Sequence, residues 1–194
     1  RQQLKLQKLR NKIASDLHDD VGSTLSSLSI FSDMVKLQSK EVNPLLETIG
    51  DSSKKMLDGM GDIVWSINPE NDDFAKILVR MRTFAYELLG AKKIDFAFDT
   101  DEKLLDLKVP MEVRKNLYLI FKEATNNLVK YSEADMAQFT IKEENNLITM
   151  TIRDNGIGFD ENPNGQGNGL KNMKKRAEEM GGKLYIESKR SEGT

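Results

Sequence analysis

No proline interrupts the first 43 residues, and apolar side chains recur there every three or four positions. At ~100° per residue, Leu6, Ile13, Leu17, Val21, Leu28, Phe31 and Val35 fall on one stripe of a helix predicted from Arg1 to about Gln38. The pattern is already under way at Arg1, as expected of a longer helix entered part-way. Asn43-Pro44 then supplies an N-cap followed by a first-turn proline. Ile49, Met56, Met60, Ile63 and Ile67 repeat at helical spacing until Asn68-Pro69 stops them. Two amphipathic helices joined by a short turn predict an antiparallel hairpin. A lone hairpin leaves its apolar stripes half covered, and pairing with a second copy into a four-helix bundle covers them. A two-helix cap folded onto the rest of the same chain is the other solution.

Beyond Pro69 the punctuation changes. Eight of the thirteen glycines lie between Gly156 and Gly193, against four in the first 89 residues. Phe74–Leu89 reads as a helix ended by Gly90, and Lys93–Asp99 alternates like a strand. Val109-Pro110 opens a helix running to about Tyr131. Ala137–Lys142 and Leu147–Arg153 form a hairpin across Glu144-Asn145-Asn146. After a glycine-rich loop come a helix, Leu170–Met180, and a strand, Lys183–Ser188. This order predicts an α+β chain: a helical hairpin over residues 1–68, a hinge linker over 69–73, and a two-layer α/β sandwich over 74–194 with helices on one face of the sheet.

Composition removes many chemistries. The chain has no cysteine, so disulfides, thiolate nucleophiles and cysteine-based metal sites are excluded. Net charge is −2 and the pI about 5.6, so no basic field favours direct nucleic-acid binding. No apolar run approaches the roughly 20 residues of a membrane span and no signal peptide opens the sequence. The expected compartment is the cytoplasm, with any membrane attachment supplied by a segment preceding Arg1.

Imidazole chemistry can come only from His18, the single histidine. On the helical wheel it lies about 100° from the centre of the apolar stripe, at the edge of the bundle. Ala14, Ser15 and Gly22 surround it at helical spacing, and small side chains there leave the ring open. Asp19 follows directly, and a carboxylate beside an imidazole can hold one ring nitrogen protonated while the other stays nucleophilic. Gly22 costs a helix about 1 kcal/mol relative to alanine. A surface histidine needs none of this; a phosphoryl acceptor does, provided a nucleotide site exists elsewhere.

Such a site is written in the second half. Glu123, Asn127 and Lys130 share one face of the helix after Pro110, above the apolar Leu117, Phe121, Ala124 and Leu128. A carboxylate, an amide oxygen and an ammonium on one ridge suit hydrated Mg2+ and phosphates. Asp154-Asn155-Gly156-Ile157-Gly158 follows a strand, where paired glycines permit close backbone approach and an aspartate can accept from an adenine amino group. Gly165-Gln166-Gly167-Asn168-Gly169 opens a helix, whose backbone N–H groups and positive dipole end suit phosphate. Singly each reading competes with an ordinary solvated face or tight turn.

Together they resemble the cytoplasmic core of a two-component sensor histidine kinase, of the subfamily that includes the NarX and DesK sensors. LHDDVGSTL resembles the phosphoacceptor box, EATNNLVKY the N box, DNGIGF and GNGLKNM the two glycine boxes, and IVWSINP closes the hairpin as in that family. The resemblance implies a dimerisation and phosphotransfer hairpin followed by a Bergerat-type (GHKL) ATP-binding sandwich. It implies His18 as the residue phosphorylated, Asp19 as its activating base, and Glu123 as the acid near the metal water and γ-phosphate. Asn127 would be the Mg2+ ligand, Lys130 a phosphate contact, and Asp154 the adenine reader with Gly156 and Gly158 as its loop. Gly167 and Gly169 would belong to the phosphate-side lid, and Thr194 would lie near adenine. ATP and Mg2+ are the implied cofactors, and a homodimer and a response-regulator receiver domain the implied partners.

Three positions depart from the family's pattern. Ser23 stands where many relatives carry a glutamine associated with dephosphorylating the partner. Tyr131 replaces a histidine common after the basic residue. A further strand is expected beyond Thr194. An ATP-binding dimeric module without histidine phosphorylation is the competing reading, and a Bergerat-type ATPase or serine kinase is disfavoured by the histidine-bearing hairpin.

Overall fold

A computed structural model describes residues 2–38, 44–145, 147–159 and 168–194, with side chains from residue 7 onward except at 16, 18–20 and 37–38. It divides into two compact units, Arg1–Asn71 and Asp72–Thr194.

In the first unit, α1 (Gln2–Asp16) leads into a π-helical turn, Leu17–Gly22, and then α2 (Ser23–Gln38), with α3 (Pro44–Ile67) returning alongside. The single α-helix predicted over residues 1–38 is therefore corrected to two α-helical segments separated by a π-turn. Gly22 is a poor α-helix former, and it is buried where a Cβ would lie 2.9 Å from Met60 Cε. The π-turn absorbs residues at a different angular step, so a helical wheel cannot be carried across it. The phosphoacceptor candidate His18 sits inside this turn by its backbone.

Small residues make the seam of the hairpin. Leu25, Ser29 and Ser32 on α2 are buried, as are Gly50 and Ser53 on α3. The Ser32 hydroxyl donates to the Leu46 carbonyl at 2.5 Å, and that of Ser53 to the Ile49 carbonyl at 2.9 Å. Arg10 Nε donates to the Ile67 carbonyl at 2.7 Å, closing the other end. The predicted stripe instead faces outward: Leu28, Phe31, Val35, Ile49, Met56 and Ile63 are 40–61% exposed in the single chain. A 3₁₀ turn, Pro69–Asn71, follows α3 and is tied back to it by Asn71 Nδ2 donating to the Trp65 carbonyl at 2.9 Å.

The second unit runs α4 (Phe74–Gly90), β1 (Asp95–Thr100), α5 (Met111–Tyr131), β2 (Met136–Glu144), β3 (Leu147–Asp154) and α6 (Asn168–Glu179). The sheet has the order β1-β2-β3, with β1 parallel to β2 and β2 antiparallel to β3. Period-2 alternation puts Ala137, Phe139 and Ile141 of β2 against the helices. There Phe121 of α5 meets Phe139 at 5.3 Å between ring centroids, and Phe98 of β1 stacks on Phe139 at 5.7 Å. Phe74, Ile77, Met81 and Leu89 bury the inner face of α4. Ile120 joins Met173 and Ala177 of α6 in a second cluster.

Among the described residues, one charged side chain lies wholly inside this unit. Arg114 of α5 has no exposed surface and its guanidinium bonds Asp72 Oδ1 at 2.6 Å. The Asp72 carboxylate remains partly exposed while the guanidinium is wholly enclosed, so the bond ties Asp72 to the interior of the unit.

The strand predicted over Lys183–Ser188 is not formed: this segment has no ladder, and only an isolated bridge joins Lys189 to Gly193. Its side chains do alternate between exposed and half-buried, and Leu184 packs on the α6 cluster. Alternation reports which side chains face a core; a strand also needs a neighbour in register. Among the described residues no helix is long and apolar enough to cross a membrane.

The hairpin seam predicts a contrast between two glycines of α3. A Cβ on Gly50 would meet Ser32 Oγ at 2.8 Å, whereas Gly59 has nothing within 4 Å. Gly50→Val should destabilise by about 1–3 kcal/mol, and Gly59→Ala should stabilise by about 1 kcal/mol. Thermal unfolding followed by far-UV circular dichroism checks both signs.

Candidate functional site

Helix α5 carries the site. The burial of Phe121, Thr125 and Leu128 against the sheet and α4 fixes its rotation, which leaves Glu123 and Asn127 half-buried on another face. The N-terminus of α6 arrives over that face. Gly169 sits so close that a Cβ there would overlap Glu123 Oε1, and the same Cβ would be 3.6 Å from Asn127 Nδ2. A carboxylate, an amide and the first turn of a helix thus converge. The α6 N–H groups point their positive dipole end at this place.

A second cluster forms at the C-terminal end of α5. Ser132 caps the helix: its N–H donates to the Leu128 carbonyl at 3.0 Å, and its hydroxyl donates there at 2.7 Å. The Ser132 carbonyl accepts the N–H of Ile157 at 2.7 Å, and Gly156 lies against Ser132 where no Cβ fits. Asp154, at the end of β3, accepts the Gly156 N–H on Oδ1 at 2.9 Å, while its own N–H donates to the Thr194 carbonyl at 2.9 Å. Burial pushes the Asp154 carboxyl above its ordinary value, outweighing the opposing effect of the backbone bonds at Gly156 and Thr194.

The terminal turn locks this loop from the other side. Gly158 adopts a φ of +59° beneath the Lys189 carbonyl, a left-handed conformation that favours glycine at a place where no Cβ fits. Ser188 Oγ accepts the Phe159 N–H at 2.8 Å and lies 2.9 Å from Thr194 Oγ1. The Ser191 N–H donates to the Ile157 carbonyl at 2.7 Å. Asn155 clips the loop to β2: its Oδ1 accepts the Met136 N–H at 3.0 Å and its Nδ2 donates to Asp135 at 2.6 Å.

The structure therefore brings together Glu123, Asn127 and Gly169 in one cluster and Asp154, Gly156, Gly158 and Thr194 in another. Five residues of helix separate Asn127 from Ser132, about 7.5 Å along the axis. Lys130 lies on the same helix, exposed to solvent. Gly167 falls outside the described residues, as do the side chains of His18 and Asp19, whose backbone belongs to the π-turn of the other unit. Sequence reasoning missed Ser132, Asn155 and Ser188. The polar Ser132 directly after an apolar-periodic helix was the available signal for a cap, and Asn155 was legible only as part of a turn.

Glu123 and Asn127 carry a carboxylate and an amide, both with hard oxygen atoms, close together under Gly169, a donor chemistry that fits Mg2+. Among the described residues no three His, Asp or Glu side chains converge into a metal-ligand group. A cation here would keep much of its water shell, as Mg2+ does.

Known proteins match along this layout. Residues 10–72 match the family model described as histidine kinase, and residues 112–194 the model described as histidine kinase-, DNA gyrase B-, and HSP90-like ATPase. The chain is similar to sensor histidine kinase YhcY of Bacillus subtilis, 30% identical over 189 residues, spanning 95% of this chain and 48% of that protein. It is also similar to the oxygen sensor histidine kinase NreB of Staphylococcus carnosus, 25% identical over 202 residues, spanning 95% and 54%. The chain spans about half the length of these curated relatives. In fold it is like the blue-light activated histidine kinase of Erythrobacter litoralis EL346, with a TM-score of 0.59 at 15% identity over 90% of this chain and 57% of that one. A hairpin of the histidine kinase family followed by its ATPase sandwich is the arrangement of a kinase core, and the chain belongs to the two-component histidine kinases of the NarX-like kind.

Proposed function

We propose that this chain is the kinase core of a two-component sensor, transferring the γ-phosphoryl group of ATP to His18 and thence to an aspartate of a response-regulator receiver domain. The observation that carries the reading is the convergence of two clusters on one helix: Glu123 and Asn127 of α5 lie under Gly169 at the start of α6, and Asp154 at the end of β3 is held over the C-terminal end of α5 through Gly156 and Ser132. Asp154, framed by Gly156 and Thr194, would accept from the adenine amino group. A carboxylate held where burial penalises its charge is a frequent mark of a functional site. Glu123 and Asn127 would hold Mg2+, which when bound neutralises phosphate charge. Lys130 and the α6 N-terminus, with Gly167 and Gly169, would bind the phosphates.

In the reaction an imidazole nitrogen of His18 forms a bond to the γ-phosphorus as the bond to the β–γ bridging oxygen breaks, releasing ADP. Asp19 takes or holds the imidazole proton, keeping the attacking nitrogen's lone pair free. Most of the acceleration comes from positioning and charge neutralisation. The assignment divides the chain into a phosphotransfer hairpin over 1–68, a linker over 69–73 and an ATP-binding domain over 74–194. Dimerisation through the hairpin is supported by the outward-facing Leu28, Phe31, Val35, Ile49, Met56 and Ile63. Dependence on cellular ATP places this core in the cytoplasm.

Incubation with γ-labelled ATP and Mg2+ tests the reading. Acid-labile, base-stable label is expected on the parent chain and absent from His18→Gln. Because the sequence holds one histidine, labelling of His18→Gln refutes the assignment, and ATP binding without labelling of the parent establishes the non-catalytic dimeric module instead. Asn127→Ala is expected to keep the dimer by sedimentation yet lose labelling by roughly a hundredfold; parent-like labelling removes Asn127 from the metal site.

Asp154 gives a pH signature. Its folded-state pKa lies above the ordinary 3.8, so the stability it contributes is complete below pH 3.8 and is lost as pH rises through the raised value. In the nucleotide-free chain Asp154→Asn should therefore melt at or above the parent at pH 7, with the gap closing as pH falls toward 3.8. ATP affinity at pH 7 should fall at least tenfold. Calorimetry with and without nucleotide measures both.

A further inference from the structure

The linker predicted over residues 69–73 is divided between two anchorages. On one side, the 3₁₀ turn Pro69–Asn71 is held to α3: the Asn71 N–H donates to the Asn68 carbonyl at 3.1 Å, the Glu70 N–H to Asn68 Oδ1 at 2.9 Å, and Asn71 Nδ2 to the Trp65 carbonyl at 2.9 Å. On the other side, Asp72 bonds the wholly buried Arg114 at 2.6 Å, Asp73 forms a β-bridge to Lys108, and the Phe74 N–H donates to the Leu107 carbonyl at 3.0 Å. Phe74 itself is fully buried. The boundary between the two compact units falls between Asn71 and Asp72.

We propose that Asn71 and Asp72 are positioning residues for phosphoryl transfer, clamping the two sides of a single-linkage pivot at the Asn71–Asp72 peptide. A pivot of one linkage restricts the second unit to rotations about two or three backbone bonds. A five-residue flexible linker would let it sample a volume many times larger. The consequence is kinetic: release of either clamp enlarges the range the second unit samples and so dilutes the reactive arrangement, while the residues of the nucleotide pocket are unchanged. Arg114 also shares α5 with Glu123 and Asn127, so the clamp acts on the helix that carries the site. Two residues further along, Asn116 accepts from Arg176 at 3.1 Å and donates to Glu179 at 3.4 Å, which ties the first turns of α5 to α6. The inference rests on the kinase reading for its effect on rate, and on the anchoring geometry for its effect on motion.

The two are tested separately on the full chain. The sequence has no cysteine, so Asp58→Cys on α3 and Lys92→Cys after α4, both exposed positions, accept spin labels cleanly. Labelled chains are diluted with unlabelled chains, and the distance distribution is read by pulsed electron resonance. Asp72→Ala and Asn71→Ala should each broaden it about twofold or more, and Asp72→Glu, which keeps the charge for Arg114, should restore most of the parent width. At saturating ATP the labelling of His18 should fall about tenfold in the alanine variants with ATP affinity within twofold of the parent. A parent-like distribution in both alanine variants overturns the pivot. A loss of ATP affinity equal to the loss of labelling overturns the positioning role and makes the pair a support of the nucleotide pocket. Should Asp72→Ala fail to fold, Asn71→Ala and Asp72→Asn decide by the same readouts. Absence of label on the parent chain refutes the kinase reading, while the distance distributions still decide the pivot.

Discussion

The bond from the Ile157 N–H to the Ser132 carbonyl joins two problems that each element has alone. The last carbonyls of a helix lack donors within it, and a loop passing over a helix end must find partners for its own backbone. At the end of α5 each satisfies the other at 2.7 Å, and this is possible because Gly156 presents no side chain to Ser132. From that contact the rest of the candidate adenine site follows in order. Asp154 is fixed by the Gly156 N–H, Thr194 by the Asp154 N–H, and the Lys189–Gly193 turn closes over Gly158. The carboxylate is left half-buried in a place that raises its pKa. Folding alone gains nothing from a charge so placed, whereas a ligand with an amino group would.

In the hairpin the governing constraint is the distance between helices. Serine and glycine in the seam let α2 and α3 approach closely, and serine hydroxyls spend their hydrogen bonds on nearby carbonyls rather than demanding water. The larger apolar residues are thereby displaced to the outside. A monomer leaves that surface in water at roughly 25 cal/mol per Å2, a cost that the proposed pairing of two hairpins would remove. The π-turn at Leu17–Gly22 lies within the same first helix of the hairpin, and π-turns are frequent at functional positions in long helices. Its presence around His18 means that the angular position of this residue is set locally, apart from the periodicity of the flanking helices.

Much of this was legible in the residues. Proline and glycine placed the element boundaries, 3.6-residue and 2-residue periodicities named most elements, and the spacing of Glu123 and Asn127 put them on one face. The outcome differs where the deciding contact is distant in sequence. A π-turn changes the hydrogen-bond register while leaving the apolar pattern nearly intact, so the helix over residues 1–38 reads as continuous. Lys183–Ser188 alternates because Leu184 faces α6, a signal that mimics a strand. Arg114 stands among polar residues of an amphipathic helix, and nothing local distinguishes it as wholly buried. Asp72 reads as one more acid in a linker until Arg114 is seen beside it. Ser132 matters through a carbonyl, which every residue has.

Charge decides how the Glu123 cluster can be used. A triphosphate is strongly anionic, and a carboxylate placed beside it repels it unless a cation stands between. The α6 N-terminus contributes only about half an elementary charge, and Lys130 is a solvent-exposed ammonium whose attraction is weakened by water and salt. Neither neutralises Glu123 and a polyphosphate together. The neighbouring Asn127 supplies a neutral donor, which adds no repulsion of its own and can direct an oxygen at a hydrated cation. A pair made of one acid and one amide therefore suits a site whose metal arrives with the nucleotide and leaves with the product. A cluster of three or four carboxylates would instead hold the ion permanently. In the proposed reading, the sparse donor set beside Gly169 would thus suit turnover.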